Sequence, residues 1–98
     1  MKKLMKTDDS FQLLAHTLAN LKGTKEVEKL LTDLCTPSEV RSMADRLEVA
    51  RRLYLGESYR STKACTGVST ATIARVARAL DYGEGGYKLV LDRLEMEK

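Results

Sequence analysis

Residues 67–76 read GVSTATIARV, and the eight residues before them, 59–66, read YRSTKACT. Gly67 can take a positive φ where a short helix stops and the chain must turn. Ser69 can cap a new helix, its hydroxyl accepting one of the backbone N–H groups left over at a helix start. From that cap Ile73, Val76, Ala77 and Leu80 recur at i, i+3, i+4 and i+7, a single apolar stripe. Thr70, Ala71, Thr72 and Ala74 lie off the stripe near the start, with Arg75 and Arg78 further on. A helix that reads DNA touches base edges with its first turns. Small hydroxylated residues there, backed by arginines, suit that task. The spacing predicts a helix-turn-helix over Tyr59–Arg78 whose second helix enters a major groove.

The charge distribution points to the same segment. The chain has 98 residues and a net charge of only +3. Residues 51–80 hold Arg51, Arg52, Arg60, Lys63, Arg75 and Arg78 against Glu57 alone, a net +5, which leaves −2 on the remainder. Positive charge is therefore concentrated where phosphates would be met. At 43% apolar and 32% charged residues the composition is that of a globular domain, not a disordered chain. Five aromatics (Phe11, Tyr54, Tyr59, Tyr82, Tyr87) leave the core to aliphatic side chains. So thin a core in one small domain over 1–98 favours oligomerisation.

Working outward, residues 1–9 are polar and read as a disordered terminus. Ser10 can cap a helix bearing Phe11, Leu14, Leu18 and Leu21, a seam spaced 3, 4 and 3. After Gly23, Thr24 can cap a second helix with Glu26 in its first turn and Val27, Leu30, Leu31 and Leu34 on one face. Either stripe could serve a dimer interface or an intrachain core. Thr36-Pro37-Ser38-Glu39 has the form of a capping box with proline at the first helical position. The third helix should run to about Leu55 and stop at Gly56. Val40, Met43, Leu47, Ala50 and Tyr54, with Ala44 and Leu53, make its apolar face and mark it as the central strut. Ser58 can cap the short helix Tyr59–Thr66, which offers the core only Thr62, Ala64, Cys65 and Thr66. Gly83, Gly85 and Gly86 mark a turn before a last helix at Tyr87–Glu97 with Leu89, Val90, Leu91 and Leu94. Five or six helices without a strand signal give an all-α fold.

Several classes find no support. Cys35 and Cys65 stand thirty residues apart beside one histidine, His16. That is neither a zinc pattern nor a disulfide framework, and buried thiols in a reducing cytoplasm are the expectation. No stretch approaches the roughly 20 apolar residues of a membrane span, and Asp8 and Asp9 interrupt any signal peptide. A cytoplasmic protein without membrane, metal or cofactor is expected. An enzyme lacks paired carboxylates, a nucleophile–base set and a phosphate-cradling glycine loop.

The order of parts resembles a known family. LCTPSEVRSMADRLEVARRLYLGE at 34–57, followed by YRSTKACTGVSTATIARVARALDYG at 59–83, is similar to the Trp repressor family. More narrowly it resembles the Trp-repressor-related proteins of Gram-positive bacteria, over residues 10–95. The resemblance implies an intertwined all-helical homodimer with two helix-turn-helix heads about 34 Å apart, a spacing and a family that belong to the known examples of the motif. It implies that Arg60 contacts a base, that Lys63 contacts a phosphate, and that Ser69, Thr70, Ala71, Thr72 and Ala74 form the groove-facing surface. No family contact carries over to Arg51, Arg52 and Arg78, which are expected to steer phosphates or else to form solvated surface. For a small-molecule effector it implies a pocket at Thr36, Arg46, Arg75, Val76 and Ala79. Val76 stands where tryptophan-binding relatives have glycine and Ala79 where they have serine. The first adds bulk and the second removes a hydrogen-bond partner, which a polar site tolerates poorly. The resemblance thus points to a transcriptional repressor that binds palindromic operator DNA and does not respond to tryptophan. The alternatives are a helix-turn-helix used as a protein-interaction module, or a repressor controlled by another small anionic effector of unknown identity.

Overall fold

The computed structural model describes residues 8–97. These form six α-helices: α1 (Asp9–Ala19), α2 (Gly23–Leu34), α3 (Pro37–Tyr54), α4 (Tyr59–Thr66), α5 (Thr70–Tyr82) and α6 (Gly86–Met96). No strand occurs among the described residues. The all-α expectation holds. The chain divides into two compact units, one up to Pro37 and one from Ser38 onward.

The first unit contains α1 and α2. The cap of α1 is Asp8, not Ser10: its Oδ1 accepts the Ser10 N–H at 3.0 Å. A carboxylate at the helix N-terminus also meets the positive end of the helix dipole, so Asp8 and Asp9 belong to the helix start. Residues 1–7 of the expected disordered terminus lie outside the described residues. The second helix starts at Gly23 with Lys22 as cap residue, not with Thr24, and Lys22 makes no side-chain capping bond. Glu26 instead reaches back and accepts the Lys22 N–H at 2.7 Å, the reciprocal half of a capping box. Neither helix buries a residue fully. Leu14, Leu18, Val27 and Leu34 are exposed, and Leu30 and Leu31 are half-buried.

The second unit holds the core, which consists of Val49, Ala50, Ile73, Val76, Leu80 and Leu91, with Leu53, Tyr54, Val68 and Tyr87 packed around it. All four residues of the stripe read from the sequence of α5 are buried. α3 differs from expectation. It buries Val49 and Ala50, whereas Met43 and Leu47 stay exposed. Met43 and Leu47 share one face with Ala50 and Tyr54, so the stripe meets the core only in its C-terminal part, where Ala50 is buried and Leu53 and Tyr54 pack beside it; Val49 is buried outside the stripe. On α4 the inward residue is Thr62, fully buried, with Thr66 half-buried, while Ala64 and Cys65 are exposed. Cys65 stands at i+3 from Thr62, only about 60° around the helix from it, and is nonetheless exposed. The expectation of two buried thiols is therefore corrected: both are free, Cys35 half-buried and Cys65 exposed.

The end of α3 fixes the entry to α4. Gly56 has φ 94°, and the N–H groups of Gly56 and Glu57 bond to the carbonyls of Leu53 and Arg52 at 3.0 and 2.9 Å. That is a Schellman ending, which favours glycine because a Cβ is disfavoured at positive φ. α5 runs on to Tyr82. At Gly83 a Cβ would collide with the carbonyl of Ala79, so the chain can leave α5 closely only through glycine.

Candidate nucleic-acid interface

α4 and α5 form the helix-turn-helix. The Ser58 hydroxyl accepts the Ser61 N–H at 3.1 Å and starts α4. Gly67, at φ 73°, ends it, its N–H bonding to the Lys63 carbonyl at 2.8 Å. The Thr66 hydroxyl donates to the Thr62 carbonyl at 2.7 Å and accepts the Val68 N–H at 3.2 Å, which braces the turn from within. Ser69 then caps α5 by accepting the Thr72 N–H at 3.2 Å. Ile73, Val76, Ala77 and Leu80 hold one side of α5 in the core, so its other side must face out. That side carries Ala71, Ala74, Arg75, Arg78 and Tyr82, all exposed.

The expected DNA-contacting residues Arg60, Lys63, Ser69, Thr70, Ala71 and Ala74 are exposed, and Thr72 is half-buried. The structure brings two pairs of them together. Lys63 Nζ donates to Thr70 Oγ1 at 3.5 Å, which spans α4 and α5. Ser69 Oγ lies 3.0 Å from Thr72 Oγ1, so both hydroxyls are engaged in the cap of α5. Arg60, Arg75 and Arg78 make no ion pair among the described residues.

Arg51 and Arg52 differ from these. Glu48 takes Arg51 through Nε and Nη2 at 3.0 and 2.8 Å and Arg52 through Nε at 2.8 Å. Glu57 takes Arg52 Nη1 at 3.0 and 3.2 Å and also accepts the Ser61 hydroxyl at 2.9 Å. Hydrogen bonding from Arg51 holds the Glu48 carboxyl below its ordinary value of 4.5. Desolvation opposes that, and the Arg52 bond and both guanidinium charges reinforce it. The same bonds raise both arginines further. The expectation that Arg51 and Arg52 steer phosphates is set against this pairing: their charge is already compensated, and they clamp the end of α3 to the start of α4. The signal was legible, since Glu48 precedes them at i,i+3 and i,i+4.

Two of the expected effector residues, Arg46 and Arg75, line different cavities. Arg46 lines a cavity of about 280 Å³ with Asp45, Ser69 and Thr72. Arg75 lines another of about 420 Å³ with Tyr59, Arg78, Asp81 and Tyr82. Val76 is 1% exposed and belongs to the core, and Ala79 is exposed. Thr36 is an exposed residue of the first unit. Among the described residues no group of His, Cys, Asp and Glu could hold a metal ion, and no helix is long and apolar enough to cross a membrane.

With this geometry in place, the relatives can be compared. Residues 9–95 match the family described as Trp repressor protein. The chain belongs to the Trp repressor family. Members of this family are regulatory DNA-binding proteins, and the chain carries a helix-turn-helix in α4 and α5. The chain is 45% identical over 82 residues to the uncharacterized protein YerC of Bacillus subtilis (strain 168), covering 84% of this chain and 79% of YerC. A crystal structure of a candidate Trp repressor from Staphylococcus aureus superposes with a TM-score of 0.88 at 33% identity, covering 97% of this chain and 95% of that one. A TrpR-like protein from Eubacterium eligens ATCC 27750 gives 0.88 at 36% identity, covering 96% and 97%. The resemblance to Trp-repressor-related proteins of Gram-positive bacteria is thereby borne out.

Proposed function

We propose that the chain is a sequence-specific transcriptional regulator of the Trp repressor family, acting as a homodimeric repressor at palindromic operators. The observation that carries this reading is the outward side of α4 and α5. Arg60, Lys63, Arg75 and Arg78 stand there exposed, with Asp81 beside Arg75 and Arg78 at the far end of α5, while Glu48 and Glu57 are held by Arg51 and Arg52. Ala71 and Ala74 leave the first turns of α5 narrow enough to approach a groove floor, and the arginines follow where the helix would rise toward the backbone. Arg60 can pair with guanine O6 and N7, and Lys63, Arg75 and Arg78 can neutralise phosphates. Ser69, Thr70, Ala71, Thr72 and Ala74 complete the groove-facing surface.

The homodimer is supported by exposed apolar side chains on every helix that could supply an interface: Leu14 and Leu18, Val27 and Leu34, Met43 and Leu47, Leu89 and Leu94. Side chains of this size, so many in so short a chain, call for cover. A second copy supplies it with matching faces. One domain spanning 1–98 is part of this reading.

Regulation by tryptophan is not part of it. Val76 and Ala79 supply neither the room nor the hydrogen bond that the ring and its pocket need, and Val76 is sealed in the core.

The test is selection of genomic fragments by the purified protein without added ligand, followed by sequencing. A palindrome with half-sites about one helical turn apart is expected. Arg60→Ala should lower affinity for that palindrome by about 1–3 kcal/mol while sparing binding to random DNA. Equal loss on both would remove Arg60 as a base reader. No enriched sequence from the wild type would remove the regulator reading itself.

A further inference from the structure

Resting on that DNA-binding reading, we infer that Lys63 and Thr70 act as one unit that selects a hydrogen-bond acceptor in the major groove. The unit prefers the edge of guanine or thymine and disfavours cytosine.

An ammonium group has three donors and no acceptor, so the Lys63–Thr70 bond can run only from Nζ to Oγ1. Thr70 Oγ1 keeps a second lone pair, but the ammonium charge beside it disfavours another donor, so the hydroxyl offers its proton. Thr70 is the first residue of α5, where a docked helix meets base edges. The other hydroxyls nearby are withdrawn. Ser69 accepts the Thr72 N–H and shares a bond with the Thr72 hydroxyl, and Ser61 donates to Glu57. Thr70 is thus the hydroxyl left facing outward in the first turn. Lys63 stands beside it, a donor only, and the methyls of Ala71 and Ala74 follow it on the exposed side of α5. No Asn, Gln, Asp or Glu lies between Ser58 and Leu80. The surface is therefore rich in donors and methyls and poor in acceptors. Guanine presents N7 and O6 as acceptors, and thymine presents O4 beside its methyl. Cytosine presents only the N4 donor there, and adenine, with N7 beside a donor, falls between.

The experiment is selection from random duplexes by the full-length wild type, Thr70→Val, Thr70→Ser and Lys63→Met, with unfolding curves confirming that each variant folds. Wild type should enrich guanine or thymine at one position repeated symmetrically in the two half-sites, and the enriched base tells which acceptor is read. Thr70→Val keeps the branched shape without the hydroxyl. It should lose that preference and bind the selected site roughly threefold to tenfold more weakly. Thr70→Ser should retain it. Lys63→Met frees the Thr70 oxygen to accept and should admit cytosine at the same position. A Thr70→Val protein with unchanged preference, or a wild type that enriches cytosine there, overturns the inference and leaves the regulator reading standing. A wild type that enriches no sequence overturns both.

Discussion

Thr62 shows how much a single atom can decide. Its side chain is fully buried, and its Oγ1 has no hydrogen-bond partner among the described residues. A buried hydroxyl without a partner costs about 1–3 kcal/mol of desolvation, so this residue weakens the short helix on which the interface depends. Thr62→Val keeps the volume and removes the polar atom. It should stabilise the protein by about 1 kcal/mol, seen as a higher urea midpoint at unchanged m value. A lower midpoint would mean that the hydroxyl finds a partner in the assembled protein. The sequence pattern flagged α4 as poor in aliphatic residues, and Thr62 is where that poverty lies. It could not say which of Thr62, Ala64, Cys65 and Thr66 turns inward, because an eight-residue helix has too few apolar positions to define a stripe.

At the scale of the element, the clamp of Glu48, Arg51, Arg52 and Glu57 joins the end of α3 to the start of α4. Glu48 titrates below its ordinary value in the folded protein, so its contribution is complete above that value, 4.5, and is lost as pH falls through the lowered one. The side chains are 23–38% exposed, which limits each pair to a few tenths of a kcal/mol or about 1 kcal/mol at most. Glu48→Gln should therefore be slightly less stable than wild type at pH 7, and the difference should shrink as the pH is lowered below about 4.5. Denaturant titrations of both proteins from pH 7 to pH 3 test this; a gap that widens toward acid would contradict the clamp. The elements themselves were largely legible in the sequence. Ser58, Gly67 and Ser69 bound α4 and the start of α5 where their capping chemistry places them. The sequence suggests Ser10 and Thr24 as the caps of α1 and α2, but Asp8 and Glu26 accept the N–H groups instead, because a nearby carboxylate can reach an N–H as well as a hydroxyl can.

At the scale of the whole molecule, the apolar side chains left open in one chain make association the central prediction. Sedimentation at micromolar concentration should give twice the chain mass of 11.0 kDa. The unfolding temperature should rise with protein concentration, as it does when folding and association are linked. Leu18→Glu places a charge on an exposed seam residue of α1 and should shift the protein toward monomer while weakening operator binding. A Leu18→Glu protein that stays dimeric would take α1 out of the interface. Wild-type affinity for DNA should fall steeply with salt, with a log–log slope set by the phosphates neutralised. Arg51→Ala should leave that slope unchanged, because Arg51 already holds Glu48.

The sequence by itself determined the all-α class, the position of the helix-turn-helix, the buried stripe of α5 and the family. These rest on local signals: capping residues, a glycine at positive φ, and apolar spacing within one helix. Tertiary structure alone decided which part of the α3 stripe meets its own core, because Met43 and Leu47 share a face with Ala50 and Tyr54, and periodicity cannot tell which turns of one stripe are covered. It alone set Thr62 inward and Cys65 outward, paired Arg51 and Arg52 with Glu48 and Glu57, and brought Lys63 to Thr70 across seven residues. Contacts between elements depend on how the helices pack, and no local pattern encodes that.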